Sequence, residues 1–359
     1  MKRLFPIIPL LACVIGIQLL CSATDTLYYL TQMTMSAYYS LLIIGLCVLM
    51  GYAGQISLGH AGFFAIGGYI SAALTTHSLI PFKDNILVQF LDSAGLLLSG
   101  QTLYGEELLV VNPGVACAVA IIAAALIAVI IGIPVLKLKG HYLAMATLGF
   151  GIIIYRIVLA VEYFGEADGI SEVPAFQLFA GLSVSGNFAD RVMNYYIAWG
   201  VLLFGLILLL NLIDSRVGRG LRGIHGSEEA ADAMGVHTAR FKLQTFVLSA
   251  VFAAVAGVFL THYNGGIGPS EASVMKSVRY VAIVAVGGMA HLWGALLMGV
   301  VLNFLSLRGV FGSYDDAVFG FILIVIMLFA PNGILSISFR HRLTRFFAKE
   351  KQDSDGEAK

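Results

Sequence analysis

Two apolar runs are separated by a polar, glycine-dense segment, and this segment is the most informative part of the sequence for the fold. It reads Gly51-Tyr52-Ala53-Gly54-Gln55-Ile56-Ser57-Leu58-Gly59-His60-Ala61-Gly62. Glycine at this density permits either close helix packing or an interrupted helix. Non-helical backbone at membrane depth is tolerated only where protein or a water-filled cavity satisfies its hydrogen bonds. Polar side chains inside a bilayer are functional candidates by default, so Gln55, Ser57 and His60 could line a pathway. Close packing and a pathway lining both stay open.

The composition of the whole chain places it in a membrane. Its 359 residues are 59% hydrophobic and 12% charged, with a mean hydropathy of +0.89 and no net charge. An ordinary soluble domain is about 45–50% apolar and about 25% charged. At roughly 20 residues per crossing, we expect an all-α, polytopic membrane bundle of about 8–10 transmembrane helices and no large soluble domain. The lack of a basic excess argues against a nucleic-acid partner.

Ten apolar runs mark the candidate spans. The first begins like a signal peptide, but its length and the spans that follow favour an uncleaved helix. A transmembrane part over residues 1–340 and a polar cytoplasmic tail over residues 341–359 follow from this assignment. The runs are residues 4–23, 37–50, 56–79, 110–136, 142–161, 195–213, 243–263, 278–288, 292–307 and 317–330.

The positions of the charges predict the orientation of the chain. With ten spans and both termini in the cytoplasm, 15 of the 21 Lys and Arg residues lie inside, as the positive-inside rule requires. Acidic residues crowd two long external loops, residues 80–109 and 162–194, which could meet a partner there. The largest cytoplasmic loop covers residues 214–242. Every acidic residue falls in a loop, in a tail or at a span end, and none is expected at the membrane midplane.

A second interrupted element follows in the C-terminal half, Gly287-Gly288-Met289-Ala290-His291-Leu292-Trp293-Gly294. Transporters often place matching broken helices in two repeated halves, so this element is a candidate counterpart of the first. His291 is more simply explained as an interfacial side chain beside Trp293. The candidate pathway residues from both elements are Gly54, Gln55, Ser57, His60, Gly287 and Gly288.

The cytoplasmic loop contains a predicted helix of about two turns. Ser227 is a suitable N-cap, two acidic residues follow in the first turn, and Gly235 is a suitable C′ residue. Ala230, Ala231 and Met234 are expected to share a face. So short a helix is marginal alone in water, so it must pack against its own bundle or against a cytoplasmic partner.

Four segments in this order resemble the LivM-type permeases of branched-chain amino-acid ABC importers, a group related to the LivH permeases. They are residues 51–62, 140–151, 218–236 and 327–335, and the resemblance extends from about residue 37 to residue 335. It implies the fold of an ABC importer permease in a bacterial inner membrane. It implies partners too: ATPase subunits, a second permease subunit in a homodimer or heterodimer, and a periplasmic or lipid-anchored solute-binding protein. The implied ATPase-coupling helix consists of Ser227, Glu228, Glu229, Ala230, Ala231, Asp232, Ala233, Met234 and Gly235.

The resemblance implies the transport of branched-chain or other amino acids. His225, Glu229 and Ala295 depart from the family's usual pattern, so urea, amides, sugars or nucleosides remain alternative solutes. The sequence has no Gly-x-x-x-x-Gly-Lys-Ser/Thr pattern, which assigns ATP hydrolysis to a separate subunit. An ion-coupled transporter would need midplane carboxylates, and an intramembrane enzyme would need a nucleophile and base or a metal motif. Neither pattern is found, which makes these two classes less favoured.

No metal or cofactor is expected. The cysteines lie in or beside apolar runs without metal-ligand spacing, so we interpret them as small core residues. They are Cys13, Cys21, Cys47 and Cys117.

Overall fold

The computed structural model describes residues 7–82, 85–93, 95–101, 107–179, 181–310 and 312–329. The predicted tail, residues 341–359, lies outside these ranges. The α-helices are α1 (Ile7–Ala23), α2 (Tyr28–Gly51), α3 (His60–Thr76), α4 (Ile86–Ser93), α5 (Pro113–Val135), α6 (His141–Ala160), α7 (Arg191–Asp214), α8 (Arg216–Gly226), α9 (Glu228–Ala233), α10 (Thr238–Asn264), α11 (Val274–Gly287), α12 (Leu292–Leu307) and α13 (Asp315–Phe329). The strands are β1 (Leu97–Gln101), β2 (Glu107–Val111), β3 (Ile170–Ser171), β4 (Phe176–Phe179), β5 (Leu182–Val184) and β6 (Gly266–Ile267).

Each predicted apolar run contains one helix. Within the described residues, five helices are long and apolar enough to cross a membrane: α2, α5, α6, α10 and the segment Phe188–Asp214 that includes α7. Helices α1 and α12 are apolar but shorter. The chain is therefore a polytopic membrane helix bundle, as its composition predicts.

Helix α2 forms the centre of the bundle together with α3 and α10. Its most apolar 18-residue window is 89% buried, whereas the windows of α5 and α6 are 28% buried. Gly45 of α2 lies against the Phe252 side chain, and the Tyr38 ring stacks on Phe259 at 5.8 Å, so α2 and α10 are antiparallel. Glycines let these helices approach closely, which is how membrane helices gain van der Waals contact.

Helix α5 has one face in the protein and the other exposed. An alanine every fourth residue turns a smooth face inward, because positions four apart share one side of a helix. These alanines, at 0% exposure, are Ala116, Ala120, Ala124 and Ala128. The opposite face carries large exposed apolar side chains, Ile122, Leu126, Ile130 and Ile133, exposed by 54–68%. Such a surface belongs in lipid.

Two helices, α3 and α11, begin inside the bundle rather than at its surface. The first residue of α3, His60, bonds to Ser249, about 16 Å along α10 from its start. Helix α11 begins just after Glu271, which bonds to Tyr39, about 16 Å along α2 from its start. The backbone N–H of Ala61 donates to Ser277 Oγ at 3.2 Å, so the N-terminal ends of α3 and α11 meet.

The segments that precede α3 and α11, residues 52–59 and 265–273, are the two interruptions of the bundle. The predicted interruption after Gly51 is present. The predicted counterpart at residues 287–294 is wrong, because those residues form a tight turn between α11 and α12. The second interruption lies earlier, at residues 265–273.

Short strands at one end of the bundle are an addition to the all-α prediction. They form three two-stranded antiparallel sheets within or beside the predicted external loops. Strand β3 pairs with β6, which ties the second loop to the 265–273 segment. His262 Nδ1 bonds to the Pro174 carbonyl oxygen at 2.7 Å, so this loop lies across the end of α10. We call this the hairpin end, and the opposite end, which carries α8 and α9, the α9 end.

Candidate functional site

Helix α9 is defined by its caps. The Ser227 Oγ accepts a hydrogen bond from the Ala230 N–H at 3.2 Å, and Glu228 and Glu229 occupy the first turn, where carboxylates offset the positive end of the helix dipole. Gly235, with φ of +82°, ends the helix in the left-handed conformation. The helix predicted between Ser227 and Gly235 is therefore present.

Two polar contacts and one buried alanine hold α9 against the bundle. Lys242 of α10 pairs with Glu228 at 2.5 Å, and Thr238 Oγ1 donates to Asp232 Oδ1 at 3.3 Å. Ala231 is 6% exposed and packs in a small cluster with Ala53, Leu221 and Ile224. Helix α9 is thus fixed at both ends to α10 and in its middle to α8.

The outward face of α9 differs from the predicted one. Met234 is 85% exposed, and Ala230 is also exposed, whereas Ala231 points inward. The prediction that these three residues share one face is therefore wrong. Helix α9 has six residues, and one side of it packs against the bundle while the other side is exposed. The exposed side is available to a partner.

The glycine-dense segment packs directly on helices α8 and α9. Gly54, with φ of +69°, lies beside the His225 ring, and the Arg222 guanidinium lies 5.8 Å from the centre of the Tyr52 ring. Ala53 completes the cluster that buries Ala231. A movement of α9 would therefore act directly on residues 52–54.

The same segment contacts the turn between α11 and α12. The Tyr52 hydroxyl donates to the Ala290 carbonyl oxygen at 2.9 Å, and a Cβ at Gly51 would overlap the Met289 carbonyl group. Gly287 is packed against the backbone of Gly294 across the turn, and Gly288 has φ of +100°. The structure thus brings three separate candidate segments together at the α9 end.

The polar side chains of the glycine-dense segment lie deeper in the bundle than residues 52–54. Their exposures are 3% for Gln55, 1% for Ser57 and 1% for His60. Both ring nitrogens of His60 have partners, Ser57 Oγ at 3.1 Å and Ser249 Oγ at 2.7 Å. His60 therefore joins the interruption to α10 through these two hydrogen bonds. The side-chain amide of Gln55 is buried and has no hydrogen-bond partner within the described part of the chain.

Gly287 and Gly288 lie at the turn and not beside His60. Their conformation and close packing explain why glycine occupies these positions. His291 is exposed and directly precedes the first residue of α12.

A polar cluster at the second interruption is missing from the sequence predictions. The Tyr39 hydroxyl donates to Glu271 at 3.0 Å, and Lys276 Nζ lies 3.1 Å from Glu271 Oε1 and 3.2 Å from the Tyr39 hydroxyl. Tyr69 and Tyr280 are buried nearby, and their hydroxyls have no hydrogen-bond partner among the described residues. Glu271 therefore lies in the loop before α11 and is partly buried between α2 and α11, in contact with both helices.

A signal for this cluster is present in the sequence. Residues 265–270, Gly-Gly-Ile-Gly-Pro-Ser, are as rich in helix-breaking residues as the segment after Gly51. They precede Glu271 and a short helix. The same reasoning that marked the first interruption would have marked this one.

An apolar helix bundle with two interrupted, polar segments inside it is an arrangement typical of membrane transporters, and it defines a membrane permease as the class of protein. Residues 28–328 match the family model described as "Branched-chain amino acid transport system / permease component". The match covers most of the chain, and the chain belongs to this family.

Three relatives with curated descriptions agree with this assignment. The chain is 28% identical to the high-affinity branched-chain amino acid transport system permease protein LivM of Escherichia coli (strain K12) over 325 residues, covering 85% of this chain and 69% of LivM. It is 28% identical to LivH of the same strain, covering 86% and 96% of the two chains, and 25% identical to BraD of Pseudomonas aeruginosa with the same coverage. No solved structure matches the chain.

Proposed function

We propose that this chain is a transmembrane subunit of an ATP-driven importer of branched-chain amino acids in a bacterial inner membrane, with both termini in the cytoplasm. The LivM, LivH and BraD relatives carry this solute class in their names, which supports it here. The proposed partners are ATPase subunits, a second permease subunit and an external solute-binding protein. The predicted excess of basic residues at the α9 end supports the orientation.

The contact between α9 and residues 52–54 is the main structural support for this proposal. Helix α9 and its C-cap residue Met234 present Ala230 and Met234 outward, and the helix rests on Ala53 through Ala231. An ATPase subunit that binds the outward side would move α9 as a unit with α8. That movement would reach the first interruption and, through the Tyr52 bond to Ala290, the start of α12. Rigid displacement of packed elements is a known way to switch access.

The pathway is proposed to run between the two interruptions, where the N-terminal ends of α3 and α11 meet. Residues 52–60 reach this place from the α9 end, and residues 265–273 from the hairpin end. The buried Gln55 amide and the Tyr69 and Tyr280 hydroxyls are the polar groups that support this location. Helix N-termini inside a bundle suit the carboxylate of an amino acid.

Ion-coupled transport is a weaker alternative. Glu271 is a partly buried carboxylate, with 19% of its side chain exposed, and Lys276 neutralises it at 3.1 Å. A carboxylate that carries a coupling ion must be free to exchange it, and a paired one is not.

The solute is tested by uptake into proteoliposomes. The complex is purified from native membranes through a tag on this chain and reconstituted with its solute-binding protein and internal ATP. We expect ATP-dependent accumulation of leucine, isoleucine or valine and none of urea or ribose. Accumulation of urea or ribose alone would show that the solute is not a branched-chain amino acid. Uptake that needs an ion gradient but no ATP would contradict ATP-driven import.

A further inference from the structure

We propose that the α9 end carries a binding site for an anionic phospholipid, with the headgroup phosphate held by Lys137, Lys139, Arg240 and Lys242. The site is a groove of about 410 Å³ between the end of α5 and the start of α10. It is separate from the proposed pathway, and the inference does not depend on the transported solute.

The rim of the groove is basic. Lys137 and Lys139 come from the connection after α5, and Arg240 comes from the first turn of α10. Among the residues that the structure describes, none of these three forms an ion pair. Lys242 is paired with Glu228, the one acidic residue in the lining. Four cations and one carboxylate leave a clear positive excess that suits a phosphate group.

The inner wall of the groove is apolar and continues onto a lipid-facing surface. Ile133, Leu136 and Leu243 line it. Ile133 is 54% exposed and is followed along the outer face of α5 by Ile130, which is 68% exposed. A ligand with a phosphate and acyl chains fits both parts at once, whereas free phosphate would use the rim alone. Basic pockets between membrane helices at the cytoplasmic side are typical sites for anionic headgroups.

The groove is also next to α9, since Glu228 belongs to its lining. A phosphate at the rim would therefore lie beside the Glu228–Lys242 pair that holds α9 in place. The site is positioned so that the lipid could stabilise the docked α9.

The test is lipid binding by native mass spectrometry of the full-length protein, purified with its partner subunits. The probes are phosphatidylglycerol, phosphatidylcholine with the same acyl chains, and glycerol 3-phosphate. The groove variant is K139Q/R240Q, which keeps the Glu228–Lys242 pair. The matched control is R216Q/R219Q, which removes two exposed cations of α8 outside the groove.

We expect phosphatidylglycerol to bind the wild type and the control equally, and the groove variant about 25-fold more weakly, at roughly fivefold per cation. Phosphatidylcholine should bind the wild type weakly, and glycerol 3-phosphate should not displace the lipid. Equal binding by all variants would overturn the proposal. Displacement by glycerol 3-phosphate would also overturn it, by showing a site for free phosphate, and so would loss of a partner subunit from the groove variant, by showing a protein interface.

Discussion

Glu271 and His60 are polar residues at similar depth in the bundle, and their partners give them different roles. His60 bonds through both ring nitrogens to Ser57 and Ser249, so it is a structural joint. Glu271 joins the second interruption to Tyr39 of α2 and to Lys276 of α11. Neither role follows from residue type, because each depends on which helix lies opposite.

Gln55 and His60 should respond differently to alanine substitution. His60→Ala leaves two buried serine hydroxyls without a partner and should lower the free energy of unfolding by about 1–3 kcal/mol. Gln55→Ala removes an amide without hydrogen bonds, so stability should stay within about 1 kcal/mol while uptake falls. Unfolding by denaturant and uptake by the reconstituted complex measure the two effects. Normal uptake by the Gln55 variant would remove this residue from the pathway.

The Glu271–Lys276 pair should behave as a coupled unit. Its side chains are 19% and 24% exposed, so removal of one partner leaves a largely buried charge. Glu271→Gln and Lys276→Met should each destabilise the protein by about 1–3 kcal/mol, less than the 3–5 kcal/mol of a fully buried pair. The double variant should be less destabilised than the sum of the two. Thermal unfolding measures all four proteins, with Glu162→Gln as an exposed control at the hairpin end, and additive effects would show that the pair is not coupled.

The sequence predicts a helix or strand correctly when the residues that define it are close together in the chain. Helix α9 has its cap, acidic first turn and terminal glycine within nine residues. Helix α8 was missed because its glycines, at positions 218, 220, 223 and 226, oppose helix formation. It forms because Leu221 and Ile224 are buried against Ala53 and Ala231. Strand β3 was also missed, because it forms only by pairing with β6, which lies far away in the chain.

The attachment of α9 to α10 should depend on Lys242, which is 8% exposed. Lys242→Met leaves Glu228 without its partner and loosens the first turn of α9. We expect faster hydrogen exchange at residues 228–234, by roughly tenfold for a loss of about 1.4 kcal/mol in local stability. Mass spectrometry of peptides from this region measures the exchange, and Arg216→Met is the exposed control. Unchanged exchange would show that the Thr238–Asp232 contact and Ala231 hold α9 without the ion pair.

At the scale of the molecule, hydropathy predicted which parts of the chain are helical, because burial in a bilayer demands long apolar runs. Hydropathy could not predict whether a helix begins at the surface of the bundle or inside it. The runs before α3 and α11 look like loops between full spans, and only the contacts Ala61–Ser277 and Tyr39–Glu271 place their starts inside the bundle. The candidate site was therefore half predicted, through the first interruption and α9. The second interruption was missed because a solvated loop also explains its polar residues.

We propose that an ATPase subunit drives the permease through the exposed side of α9, and the substitution Met234→Asp probes this contact. Met234 is 85% exposed, so the substitution leaves the bundle intact, whereas a charge at the buried Ala231 would displace α9 itself. Phe188→Asp, at an 82% exposed side chain of the hairpin end, is the matched control for ATPase docking. The measurement is ATPase binding and ATP-dependent leucine uptake by the reconstituted complex. We expect Met234→Asp to lower ATPase binding and uptake at least tenfold, and Phe188→Asp to retain ATPase binding. Wild-type binding and uptake by Met234→Asp would show that the ATPase does not act through this side of α9.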